Sequence, residues 1–379
     1  MTDQCFGPRE AGLEEFSVVF TDRALNHMSA EFQEVMRDIS EGMREVYRGE
    51  AVALVPGGGS YAMEAVARAF AAGREVLVIR NGWFSYRWSQ IFEATGLPAS
   101  ETVLKARRVA NDRQAPFVPA SLDEILSAID RQRPAVLFAP HVETASGMIL
   151  PDEWLAAIGR AMRDVGGLFV LDCIASGAVW VDMAAAGVDV LISAPQKGWS
   201  STPSAGIVVM NERAEKALEI AAASSFAGDL GRWRAIMKAY EDGAHAYHAT
   251  MPTDALRHFR DNMKATFAFG LEAARKAQWA LGNRVRAALA ARGVRSVAAE
   301  GFAAPGVVVS HTDDPEIRSG RKFATEGVQI AAGVPLACDE GDDFSSFRIG
   351  LFGLDKLADV DGKVARLEAV FDKVIGPVT

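Results

Sequence analysis

Between residues 29 and 47, apolar side chains recur at three- and four-residue steps (Phe32, Val35, Met36, Ile39, Met43 and Val46) with charges between them. That spacing predicts an amphipathic helix capped by Ser29. Short apolar runs bounded by glycine, proline or polar residues then follow at 51–55, 75–80, 136–140, 168–171, 188–192 and 207–210. Runs of this length and composition predict buried strands. A turn over 56–60 leads into a predicted helix over 62–72, and a second helix is predicted over 154–164. Strands alternating with helices imply an α/β fold, a mostly parallel central sheet covered on both faces in three layers.

The texture changes near residue 250. Residues 253–292 form one long stretch rich in Ala, Arg, Lys and Leu, read as helix. Beyond it come predicted strands at 307–311, 328–330 and 346–349, a helix near 316–323 and a final helix over 359–375. The chain therefore divides into an arm (1–17), a large domain (18–252) and a smaller α+β C-terminal domain (253–379). A length of 379 residues suits two domains better than one.

Charge and cysteine usage narrow the setting. A net charge of −9 argues against a nucleic-acid or anionic-membrane partner. Cys5, Cys173 and Cys338 are too scattered for a disulfide framework and fit a reducing, cytoplasmic setting. The N-terminus has no hydrophobic signal core, and no apolar run approaches a membrane span.

The chemistry lies at the ends of the predicted strands, where α/β sheets collect ligands. The run at 168–171 ends in Asp172, and the run at 188–192 leads through Gln196 to Lys197. An acid and an amine delivered there together suit pyridoxal phosphate: the lysine as Schiff base with its aldehyde, the aspartate paired with its ring nitrogen. A plain Asp–Lys ion pair is the alternative. The Gly57-Gly58-Gly59-Ser60 turn stands between a strand and a helix, where free N–H groups and the helix dipole favour an anion. It matches neither nucleotide-binding glycine pattern. Asn81 to Arg87 offers Trp83 or Phe84 as an aromatic to stack on a flat ring. His141-Val-Glu143-Thr144 is a polar cluster beyond a strand and a poor zinc set, so no metal is expected. Tyr247 to Pro252 is a polar–aromatic loop. Arg348 stands on a short apolar strand, where a substrate carboxylate or a structural acid would pair with it.

Together these segments resemble the class V aminotransferases of fold type I, nearest to the alanine–glyoxylate, serine–pyruvate and 2-aminoethylphosphonate–pyruvate group, from about His27 to Gly353. The resemblance rests on Asn26-His27-Met28, on Gly57 to Glu64, and on the order of His-x-Glu-Thr, the strand aspartate, Gln-Lys, Tyr-x-x-Thr and Phe-Arg-Ile-Gly. It implies a homodimeric transaminase working by ping-pong kinetics on a small amino acid and a small 2-oxo acid. By position it makes Lys197 the Schiff-base lysine, Asp172 the pyridine partner and Phe84 the stacking aromatic. Gly58, Gly59 and Ser60 would meet the phosphate, while Thr144 and Gln196 would touch the cofactor. Tyr247 and Thr250 would reach the phosphate in the neighbouring subunit, and Arg348 would clamp the substrate α-carboxylate.

The chain departs from the family in several places. No Pro-Gly-Pro segment opens it, Thr202-Pro203-Ser204 stands where Pro-Pro-Gly is usual, and Ser85 replaces a glycine. A lysine often seen just before Phe-Arg-Ile is missing as well. Two other readings of the same cage are a cysteine desulfurase or lyase using Cys338, and a non-enzymatic scaffold. The acids after Cys338 and the Gln before Lys197 count against the first. Retention of lysine, arginine and glycine turn counts against the second.

Overall fold

The computed structural model describes residues 14–378, so the predicted arm, apart from residues 14–17, and Cys5 lie outside the described residues. Seven strands form the central sheet: β1 (Ala51–Pro56), β2 (Glu75–Arg80), β3 (Ser100–Lys105), β4 (Val136–Pro140), β5 (Leu168–Asp172), β6 (Val190–Ser193) and β7 (Ala205–Met210). Their spatial order is β1-β7-β6-β5-β4-β2-β3. All neighbours run parallel except β7, which is antiparallel to both β1 and β6. Every residue of β4, β6 and β7 is buried, the signature of a sheet covered on both faces.

The covering helices are α1 (Ala30–Tyr47), α2 (Gly59–Phe70), α3 (Trp83–Thr95), α4 (Leu122–Gln132), α5 (Asp152–Asp164), α6 (Glu212–Glu219) and α7 (Leu230–Glu241). Helix α1 matches its sequence pattern, with Phe32, Val35, Met36, Ile39 and Met43 buried and the Ser29 hydroxyl accepting from the Phe32 N–H. Helix α2 starts at Gly59, earlier than predicted, which puts Gly59 and Ser60 in its first turn.

The long helical stretch is two helices, α8 (Thr253–Phe269) and α9 (Leu271–Ala290). Gly270 divides them at φ 95° and ψ 123°, a conformation open to glycine and costly for other residues. The break changes partners. Leu256, Phe259 and Met263 of α8 join the core around the central sheet, whereas Ala274, Leu281 and Val285 of α9 pack in a second core. That second core also holds Phe347, Ile349 and Phe371, from a three-stranded antiparallel sheet and the last helix, α10 (Val360–Val374). The sheet comprises β8 (Val307–His311), β9 (Ala331–Ala332) and β10 (Ser346–Gly350), with β10 central. The helix predicted over 316–323 is two short pieces, Pro315–Arg318 and Arg321–Thr325, interrupted at Gly320. The strand predicted at 328–330 pairs instead at Ala331–Ala332.

Candidate active site

The register of the sheet gathers the polar segments. Asp172, the last residue of β5, stands opposite Pro140 of β4 and Ile192 of β6, so the loops after these strands leave side by side. Pro56 at the end of β1 pairs with Ala205 at the start of β7. The glycine turn, the 141–147 segment, Asp172 and the lysine loop therefore share one edge, beyond the carboxyl ends of the parallel strands.

Asp172 is buried, and its Oδ1 accepts from the Ile174 N–H at 2.9 Å. Burial pushes its carboxyl up to about 7; the Glu143 charge adds to this, while the Ile174 N–H, Arg87 and Lys197 pull the other way. Lys197 lies beyond β6, with its ammonium 5.3 Å from the centre of the Phe352 ring. Burial lowers its pKa, Arg348 lowers it further, and Asp172 opposes both. No Lys197–Asp172 ion pair forms within 4.0 Å among the described residues, so the plain ion-pair reading of these two fails. Gln196 beside the lysine has a buried Oε1 without a hydrogen-bond partner. Trp199 points away from the site: it is buried against Trp180, with ring centres 4.6 Å apart.

The Gly57 backbone takes φ 119°, which glycine alone tolerates freely, and its N–H donates to the Ser204 carbonyl at 3.0 Å. Nothing lies within 4 Å of where a Gly58 β-carbon would be. Helix α2 begins there with no side-chain cap and no acid in its first turn. The Ser60 hydroxyl instead accepts from Arg87 Nη1 at 2.7 Å. Arg87 has no carboxylate partner among the described residues and lies 5.3 Å from the Phe84 ring centre. Sequence reasoning passed over Arg87. Its position one helical turn after Phe84 is the signal that would have found it.

Phe84 is the second residue of α3, a helix the strand-and-turn pattern did not predict. Arg348 approaches the same ring from β10, at 5.6 Å. The Arg348 Nε donates to the Ala332 carbonyl at 2.8 Å, and no acid pairs with it among the described residues. Thr144 is buried in the segment that also carries Glu143. Tyr247 and Thr250 stand apart: their hydroxyls meet at 3.1 Å, and the half-exposed Tyr247 ring packs on His27.

Cys338 is unsuited to nucleophilic work. It is buried, its Sγ donates to the Arg80 carbonyl, and burial together with Glu143 and Glu340 pushes the thiol up to about 12.

No family model matches the chain. Over 356 residues it is 29% identical to the soluble hydrogenase small subunit of Synechococcus sp. (strain PCC 6716), covering 91% of this chain and 86% of that one. It is 26% identical to alanine–glyoxylate aminotransferase of Rattus norvegicus, over 66% of this chain and 58% of that one. Among solved structures, an aspartate aminotransferase of subgroup IV from Thermus thermophilus superposes with a TM-score of 0.74 at 25% identity, covering 93% of both chains. Alanine–glyoxylate aminotransferase from Nostoc sp. superposes at 0.76 with 23% identity, over 92% of this chain and 89% of that one. Apart from the relative named as a hydrogenase subunit, these neighbours in sequence and structure are class V aminotransferases of fold type I. Such enzymes depend on pyridoxal 5'-phosphate.

The residues present fit that cofactor. A buried carboxylate with a raised pKa, an amine with a lowered one, an orphaned Gln196 oxygen and an uncapped helix start flanked by an unpaired arginine converge on one edge. The set offers a partner for each end of the ligand: anion donors for a phosphate, an acid for a ring nitrogen and an amine for an aldehyde.

Proposed function

We propose that this chain is a pyridoxal-phosphate-dependent transaminase that moves the amino group of a small amino acid to glyoxylate or pyruvate in two half-reactions. The observation that carries this reading is Lys197, with its depressed pKa, at the same sheet edge as the buried Asp172. Pyridoxal phosphate, when bound, supplies an aldehyde that exchanges amino groups and a ring that accepts electrons.

The chain's own residues do the rest. Burial weakens the proton's hold on the Lys197 amine, which would hold the aldehyde and, once freed, take the substrate Cα proton and return it. Asp172, as a carboxylate, would accept a hydrogen bond from the ring nitrogen and so favour the proton there, and the positive charge of that nitrogen would in turn offset the burial that raises the carboxyl. Phe84 covers one ring face. The Gly58 and Gly59 turn, Ser60 and Arg87 hold the phosphate, and Thr144 and Gln196 line its approach. Arg348 receives the substrate α-carboxylate as a bidentate clamp. In keeping with the class V resemblance, Tyr247 and Thr250, whose hydroxyls meet at 3.1 Å, would complete the phosphate site of a second subunit in a homodimer. The change of core at Gly270 supports a large cofactor-binding domain followed by a small C-terminal one. Among the described residues no helix is long and apolar enough to cross a membrane; the cytoplasmic setting rests on the cysteine usage alone.

The Synechococcus relative carries the name of a hydrogenase subunit. The Lys197–Asp172 edge is what supports transamination for this chain. The test is spectral titration of the purified protein with pyridoxal phosphate, followed by a panel of small amino donors without oxo acid. A visible band should form, and one donor should convert it to the pyridoxamine form. Lys197→Ala should abolish that conversion. Failure of the wild-type protein to develop the band would sink the proposal.

A further inference from the structure

Glu143 is the second buried acid of the site, fully inaccessible and without a cationic partner within ion-pair distance among the described residues. A carboxylate taken out of water this way is costly unless its oxygens are satisfied. Both are. Oε1 accepts from the N–H groups of Phe84 at 3.2 Å and Ala145 at 2.9 Å. Oε2 accepts from the Ser85 N–H at 2.8 Å and the Ser85 hydroxyl at 2.7 Å.

Three of these four bonds come from the first turn of α3, where free N–H groups and the positive end of the helix dipole await an acceptor. The residue at the cap position, Gly82, has no side chain to offer. A β-carbon there would lie 2.7 Å from Glu143 Cγ, so the glycine makes room for an acid arriving from a distant loop. The Ser85 hydroxyl, which donates to Glu143, also accepts from the Asn81 and Gly82 N–H groups at 2.9 and 3.1 Å. Ser85 stands where the resemblance calls for glycine, and here its hydroxyl closes the network. The helix that carries Phe84 is thus fastened to the segment following β4, beside Asp172 on β5.

We propose that Glu143 is a positioning residue: by fastening the first turn of α3 it holds the Phe84 ring as one wall of the cofactor site. The inference rests on the function proposed above, in that Phe84 covers the cofactor ring. A stabilising cap alone would not need this ring. A positioning residue does, and the two roles separate in a double-mutant cycle.

The measurement is the affinity for pyridoxal phosphate, with the visible circular dichroism of the bound form, for wild-type protein, Glu143→Gln, Phe84→Leu and the double variant. Gln keeps the volume and one acceptor oxygen but loses the charge and replaces the second acceptor with a donor. Glu143→Gln should weaken binding about tenfold and reduce the dichroic band in the wild-type background, but change affinity by less than about twofold once Phe84 is Leu. Equal losses in both backgrounds, or unchanged affinity and dichroism in Glu143→Gln, would overturn the proposal. If Glu143→Gln does not fold, Ser85→Ala, which removes the serine hydroxyl alone, carries the same comparison with a smaller loss. Wild-type protein that binds no cofactor would refute the function itself, which keeps the two failures apart.

Discussion

Gly198, the residue after the lysine, lies so tightly on Gly177 that a β-carbon at 198 would stand 2.6 Å from the Gly177 carbonyl carbon. Gly177 belongs to the loop leaving Asp172, so two backbones in contact set the spacing between amine and acid. Gly198→Ala must push the loops apart. Turnover should fall by at least about tenfold and Tm by several degrees, read by steady-state kinetics and calorimetry. Wild-type turnover in this variant would show that the contact does not set the geometry.

Asp172 makes stability depend on pH in a predictable direction. Its carboxyl is raised from 3.8 to about 7 in the fold, so between those values the folded chain binds a proton that the unfolded chain does not. Stability of the cofactor-free protein from this group therefore falls as pH rises through that window. Asp172→Asn, which cannot ionise, should raise Tm at pH 8 by a few degrees and by clearly less at pH 5, where only the first part of the window has been crossed. An equal shift at both pH values would contradict the raised carboxyl.

A phosphate held by Arg87 makes the cofactor's affinity depend on that guanidinium. Arg87→Met should weaken pyridoxal phosphate by at least about tenfold and pyridoxal by less than about twofold, measured by spectral titration. If both ligands bind as in the wild type while KM for the amino donor rises, the guanidinium serves the substrate instead.

The subunit assignment of Tyr247 and Thr250 is open to a mixing experiment. One subunit would carry Lys197→Ala and the other Tyr247→Phe with Thr250→Val, each inactive or weak alone. After reassembly, half the dimers are mixed, and each mixed dimer holds one fully wild-type site if the pair acts across the interface. About a quarter of wild-type activity should return. No recovery would mean that the pair serves its own subunit.

Much of this was legible in the chain. Strands β2 and β4 announce themselves as apolar runs, Asp172 and Lys197 stand out because polar groups beyond the ends of such runs are conspicuous, and Arg348 stands out as a charge within one. Helix α3 was not legible, because aromatics and serines crowd its sequence and its cap is Gly82, whose acceptor comes from Glu143, 58 residues away from Ser85. The strand β3 is partly exposed along its length and lacks the apolar run that marked its neighbours. The break at Gly270 escaped notice because one glycine in an alanine-rich stretch leaves helical periodicity intact, and only the change of core reveals it. Trp199 was equally opaque: nothing in sequence says which way a side chain two residues past the lysine will turn.

The reversed strand β7 has a consequence for the lysine. Because β7 starts at the edge where β6 ends, the loop carrying Lys197 is anchored at both ends on the same rim. Gly206, near its far end, sits so close under the glycine turn that a β-carbon there would be 2.7 Å from the Gly58 carbonyl oxygen. A short segment pinned at both ends has little wandering to give up. Most of the entropic cost of fixing the amine is therefore met when the chain folds, and little is left to charge against the ligand when it arrives.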